Sequence, residues 1–343
     1  MQTFPTNSEH IQWFGRTLED KSGNRQLISS ASGLKFRFTG EKCEIWLRNL
    51  AQGDDYNYIS IVLDGIHQER KAIHFDTFTS VEIKTSVHAP FHDVELYKET
   101  EAVCGLIIVK NVRADSLHRL PEVNRKKIEF IGNSITVGMS ADASHIPCME
   151  GRWYDQHNAY NAYGPQVSRA LNLDFTVYGV SGIGMYRNSS TDGPTVGNVY
   201  EQAYIDPNPN SVQWDFKKFI PDIVTICLGT NDLSEGDGVT HRLPFDSTKF
   251  INAYLVFLNR IHFHYPNAKI LLLNTPLVGD KNIDLLNTCL LSVKEKVVTS
   301  IPDLPISIFS LSMFRGAGCG GHPDVEDHKR MADELLPVIQ RLL

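Results

Sequence analysis

The chain has 343 residues, 42% of them hydrophobic and 21% charged, enough to bury a large core and to divide into two domains. Its formal charge of −7 and lack of any basic run exclude the Lys/Arg-rich surface on which nucleic-acid binding depends. No window approaches the roughly 20 apolar residues of a membrane span, so neither nucleic acid nor membrane is expected as a partner.

The start, "MQTFPTNSEHIQWFG", has no charged stretch leading into an apolar core. That leaves two compartments open: the cytoplasm, or the periplasm or exterior with a leader already removed and replaced by an initiating Met. Residues 1–118 read as all-β. The runs at 34–40, 42–49, 56–65, 80–86, 92–98 and 104–112 are short and rich in Val, Ile, Phe and Tyr. Several alternate apolar with polar, and turn residues such as "TGEK" and "QGDD" separate them. This spacing predicts a β-sandwich of jelly-roll type. Residues 119–127, with no clear period and with Pro121, are expected to be a linker.

From 128 to 343 the pattern changes. Apolar runs at 128–132, 174–180, 223–228, 269–274 and 306–310 alternate with helical stretches near 160–171, 248–265, 283–299 and 325–342. Continuous apolar runs suit parallel strands covered on both faces, and the alternation predicts a doubly wound α/β domain. Such a sheet binds ligands beyond the carboxyl ends of its strands.

Ser134 follows the first of these runs, in "GNS". The second is followed by "YGVSGIG" with Gly182, the third by "LGTND" with Asn231, and the last by a glycine-rich loop ending at His322. These residue types together suit acyl transfer. A serine hydroxyl needs an adjacent base, usually His, and the tetrahedral intermediate needs hydrogen-bond donors fixed in advance. The backbone N–H groups of Ser134 and Gly182 and the side-chain amide of Asn231 are the candidate donors. Ser181 is a weaker nucleophile candidate, because Ile183 breaks the G-x-S-x-G pattern. Asp232 is expected to support its turn.

The blocks "IGNSITVG", the Gly182 turn, "GTND" and "HPDVEDHKRMA" resemble, in order, the four sequence blocks of the SGNH or GDSL-type hydrolases. The longer stretches "VSGIGMYRN", "WDFKKFIPDIVTICLGTND" and "GCGGHPDVEDHKRMA" resemble carbohydrate esterase family 2, which joins an N-terminal jelly-roll to a flavodoxin-like SGNH domain. The resemblance implies an O-acetyl esterase acting on acetylated polysaccharide. Ser134 would be nucleophile, His322 base, and Ser134, Gly182 and Asn231 the oxyanion hole. An esterase for another short acyl chain, or a weakly catalytic glycan-binding protein, are the alternatives.

Two positions depart from the family pattern. Asn133 stands where the usual turn has Asp, and Cys319 stands where most SGNH hydrolases carry the acid that orients the histidine. Asp324 and Asp327 start the last helix and read as cap and dipole complement. A Ser-His dyad is therefore expected, with a carbonyl from residues 319–321 behind His322. His328 reads as a surface or packing residue.

Trp153, in the long segment after Ser134, is a candidate for stacking on sugar. The other histidines show no metal-ligand spacing, so neither metal nor cofactor is expected. The six cysteines form no CxxC pair and read mainly as small buried hydrophobes; a Cys148–Cys319 pair is left open, since nothing in the spacing selects it. A monomer is expected, with oligomers left open.

Overall fold

Along Lys42–Leu50 the side chains of Cys43, Ile45 and Leu47 are fully buried, while those of Glu44, Trp46 and Arg48 between them are only partly covered. This period-two burial places one face of the strand against a core. It recurs along Gly33–Thr39, where Leu34, Phe36 and Phe38 point inward. The computed structural model describes residues 1–86, 89–206, 211–239 and 242–343, and separates into two units, Met1–Asn124 and Arg125–Leu343.

The first unit is a sandwich of two antiparallel sheets. Lys42–Leu50 lies between Thr79–Lys84 and Leu106–Ala114 in one sheet, and Gly33–Thr39, His92–Lys98 and Asn57–Leu63 form the middle of the other. Their inner faces share one apolar core, to which Ile45 and Val109 come from one sheet and Phe36, Ile61 and Leu96 from the other. The sequence pattern missed the short strands Gln2–Pro5, Ile11–Phe14, Thr17–Glu19 and Arg25–Leu27, because three or four residues are too few to display a period.

The second unit holds five parallel strands, numbered here within the unit: β1 (Lys127–Gly132), β2 (Asp174–Gly179), β3 (Ile223–Cys227), β4 (Lys269–Leu273) and β5 (Ile306–Phe309). Their spatial order is β2-β1-β3-β4-β5, all parallel. The interior strands are buried almost throughout, whereas edge strand β5 is only half-buried. The helices are α1 (Ser134–Val137), α2 (Tyr163–Ala170), α3 (Val196–Val199), α4 (Thr230–Leu233), α5 (Ser247–His264), α6 (Asp280–Ser300) and α7 (Val325–Leu342). The pairs α2 with α7 and α5 with α6 pack together and flank the sheet. In this order the chain leaves β1 toward β2 on one side and reaches β3 on the other, which opens a crevice beyond their carboxyl ends. Ser134 and Asn231 follow these two neighbouring strands.

Helix α7 begins with a reciprocal cap. Asp324 Oδ1 accepts from Asp327 N–H at 2.8 Å, and Asp327 Oδ2 accepts from Asp324 N–H at 3.3 Å and from Ala317 N–H at 2.8 Å. Both carboxylates are thus engaged in holding the helix start.

His328, one turn further on, is a packing residue. It is fully buried, its ring stacks on Tyr163, and its Nδ1 accepts from Tyr163 N–H at 3.3 Å. Burial, reinforced by nearby His322, pushes its pKa down to about 3. In the unfolded chain the same imidazole takes up a proton near pH 6.5. Between these values the unfolded state binds the extra proton, so stability is full above pH 6.5 and declines as pH falls toward 3. His328→Asn keeps an acceptor for Tyr163 N–H but cannot titrate. The drop in urea midpoint between pH 7.5 and pH 4.5 is expected to be smaller in this variant than in the wild type; equal drops would contradict the assignment.

Candidate active site

Asn133 is the N-cap of α1, its Oδ1 accepting from Ile135 N–H at 3.1 Å. An aspartate would perform the same function, which is why Asn is tolerated in the "GNS" turn. Gly132 ends β1 so close to Thr136 that an added Cβ would lie 2.0 Å from Thr136 Oγ1. The turn into α1 is thereby forced tight, and Ser134 sits at its head with only 6% of its surface exposed.

Ser134 Oγ lies 3.0 Å from His322 Nε2, although 188 residues separate them. On the far side of the ring, His322 Nδ1 lies 3.3 Å from the Cys319 carbonyl oxygen. With its proton on Nδ1, the imidazole donates to that carbonyl and presents Nε2 as acceptor for the serine hydroxyl. The turn carrying this carbonyl is a 3₁₀ turn, Cys319–Gly321, in which Gly320 and Gly321 adopt φ of +62° and +76°. The side chain of Cys319 is disulfide-bonded to Cys148, with Cα atoms 5.2 Å apart. The remaining cysteines, Cys43, Cys104, Cys227 and Cys289, are free and buried.

After β2, Gly182 takes φ +78°, a conformation that turns the chain back and that a side chain would strain. Its carbonyl accepts from Ser189 N–H at 2.9 Å. Asn231, in α4, donates from Nδ2 to the Ile183 carbonyl at 2.6 Å. That bond occupies one of the two amide hydrogens and fixes the direction of the other. Ser181 turns elsewhere, its hydroxyl 3.0 Å from Met139 Sδ.

Asp232 supports this architecture directly. Its buried carboxylate accepts from the backbone N–H of Met185 at 2.9 Å, Tyr186 at 2.8 Å and Arg187 at 3.2 Å. Burial pushes the carboxyl above the usual aspartate range even though these three donors pull it back. Arg242, which no motif or spacing singles out, braces the same loops by donating to the carbonyls of Ser234, Asn188 and Asn231 at 2.6–2.7 Å. Trp153 stands 47% exposed, with its ring edge-on to Tyr154 and His157, five residues beyond Cys148. It takes no part in the Ser134–His322 contact. Among the described residues no cluster of His, Cys, Asp and Glu has the geometry to hold a metal ion.

A buried serine at the head of a strand-to-helix turn, hydrogen-bonded to a histidine, is the arrangement of the serine-hydrolase class. The sequence pattern of the GDSL-like lipase/acylhydrolase family matches residues 130–298, and that of the carbohydrate esterase 2 N-terminal domain matches residues 13–123. The chain belongs to the GDSL-type hydrolases, within carbohydrate esterase family 2. It is 28% identical to the cellulase/esterase CelE of Acetivibrio thermocellus over 92% of its own length, but spans only 37% of that larger protein. It is 25% identical to an acetylxylan esterase/glucomannan deacetylase of Cellvibrio japonicus, over 99% of this chain and 91% of the relative. Among solved structures, a family two carbohydrate esterase from Clostridium thermocellum in complex with cellohexaose superposes with a TM-score of 0.85 at 25% identity, covering 96% of this chain and 98% of the other.

Proposed function

We propose that this protein is a carbohydrate O-acetyl esterase that removes acetyl groups from polysaccharide or oligosaccharide of the xylan or glucomannan type. The observation that carries this reading is the 3.0 Å contact between Ser134 Oγ and His322 Nε2, backed by the Cys319 carbonyl at 3.3 Å from Nδ1. Similarity to acetylxylan esterases supports the choice of acyl group and substrate.

Ser134 Oγ attacks the acetyl carbonyl carbon while His322 Nε2 takes the hydroxyl proton. The oxyanion so formed accepts hydrogen bonds from Ser134 N–H, Gly182 N–H and Asn231 Nδ2. When the intermediate collapses, the bond to the sugar oxygen breaks and His322 returns the proton to that oxygen. Water then attacks the acetyl-enzyme with His322 again as base, releasing acetate and restoring the serine. The carbonyl behind His322 holds the tautomer and stabilises the imidazolium, less strongly than a buried carboxylate would.

The test is acetate release from acetylated xylan, acetylated glucomannan and acetylated monosaccharides, with Ser134→Ala as control. Rapid release by the wild type and none by the variant is the expected result. Equal release by both would remove the enzyme reading. Hydrolysis of 4-nitrophenyl acetate is expected to exceed that of the octanoate, and the reverse order would point to a longer acyl chain.

A further inference from the structure

The turn that presents the Cys319 carbonyl is almost devoid of side chains. Residues 315–322 read Arg-Gly-Ala-Gly-Cys-Gly-Gly-His, so Cys319 carries the only side chain between Gly318 and His322. Glycine loses more conformational freedom on ordering than any other residue, and a turn of this composition has little packing to offset that loss. It is nevertheless closely set: a Cβ on Gly318 would lie 2.6 Å from the Ser140 carbonyl, and one on Gly316 would lie 2.2 Å from the Gly321 carbonyl. Cys319 N–H also donates to the Ser140 carbonyl at 3.1 Å.

The other end of the disulfide is firmly mounted. Gln156, 4% exposed, donates from Nε2 to the carbonyls of Ile146, Pro147 and Glu150 at 3.1–3.2 Å, which clasps the turn around Cys148. Gln156 in turn accepts from Asp142 N–H through its own carbonyl at 2.9 Å, and Asn158 N–H donates to the Gly138 carbonyl at 2.9 Å. Gly138 is the C-cap of α1, the helix that Ser134 begins. A closed frame therefore runs from Ser134 through α1, the clasped loop and the disulfide to the carbonyl behind His322.

We infer that the Cys148–Cys319 disulfide is a positioning element for His322, serving in place of the orienting carboxylate by holding the Cys319 carbonyl in register with Nδ1. The inference rests on the dyad proposed above. Neither cysteine touches the reacting atoms; the cross-link acts through the carbonyl that one of them carries. Loss of the link lets the glycine turn sample other conformations, so that Nδ1–H lacks its acceptor for part of the time.

The test compares wild type, Cys148→Ser/Cys319→Ser and Cys148→Ser/Cys319→Asp, each checked for folding by circular dichroism. The serine pair is expected to lower kcat by about 10- to 100-fold, the scale of a small misplacement of a catalytic group, with KM within about twofold. The acid limb of its pH–kcat/KM profile should move to lower pH, because the imidazolium has lost an acceptor. The aspartate variant should recover much of the lost kcat, since it puts a carboxylate where most SGNH hydrolases carry one. A disulfide that only stabilised the fold would shift the melting temperature and leave the pH limb in place. Should the serine pair not fold, wild-type enzyme reduced with dithiothreitol, its thiols counted by mass spectrometry and its fold verified, replaces it in the same assay. Unchanged kcat and pH limb in a folded disulfide-free protein overturn the inference, as does an aspartate variant no better than the serine pair. Failure of the dyad itself is separately visible, because Ser134→Ala and His322→Ala would then retain activity.

Discussion

Ser134→Ala is expected to lower kcat for acetyl-ester hydrolysis by roughly 10⁴-fold or more, with the melting temperature little changed. The hydroxyl is small and occupies the head of a helix whose cap is Asn133, so its removal disturbs neither the cap nor the packing of α1. His322→Ala is expected to fall to a similar floor. The double variant should be no slower than either single one, because the two groups act in one proton transfer and neither is useful alone. The check is a double-mutant cycle on 4-nitrophenyl acetate. Additive losses would mean that Ser134 and His322 act separately, and the 3.0 Å contact between them would then be incidental.

Asn231→Ala carries the second large effect. Removing one oxyanion donor typically costs about 2.7–4 kcal/mol of transition-state stabilisation, so kcat should fall by about 10²–10³ while KM stays near its wild-type value. The amide also holds the Ile183 carbonyl at 2.6 Å, and the loop through Met185–Arg187 is anchored independently by Asp232. That second anchor makes a pure loss of donor separable from a collapse of the loop. Asn231→Asp keeps the shape but presents acceptors to a developing negative charge, and should be at least as slow as the alanine variant. If either variant raised KM tenfold and left kcat alone, Asn231 would be a substrate-binding group.

The alternating strand and helix plan of the second unit was legible because its signals are local. Continuous apolar runs separated by amphipathic stretches give parallel strands and covering helices without reference to distant residues, and β1, β3 and β4 lie within one residue of the runs that mark them. The first unit was less so. Its long strands alternate clearly, but Gln2–Pro5, Ile11–Phe14, Thr17–Glu19 and Arg25–Leu27 owe their conformation to the strands they pair with. Pairing across a sheet leaves almost no trace in three or four residues.

Ser134, Gly182, Asn231 and His322 could be singled out along the chain, since each follows a predicted strand in a sheet that gathers its strand ends on one rim. Sequence spacing also placed Asp324 and Asp327 at a helix start, and the reciprocal cap occupies both. Which cysteines pair and how Arg242 joins its loops depend on chain segments brought together from far apart. Cys148 and Cys319 are 171 residues apart, and no periodicity or composition encodes that distance closing to 5.2 Å. The sequence by itself determined which residues could react and on which side of the sheet they would lie. Only the tertiary structure decided what holds them, because hydrogen bonds to backbone carbonyls use groups that every residue possesses and that no residue type announces.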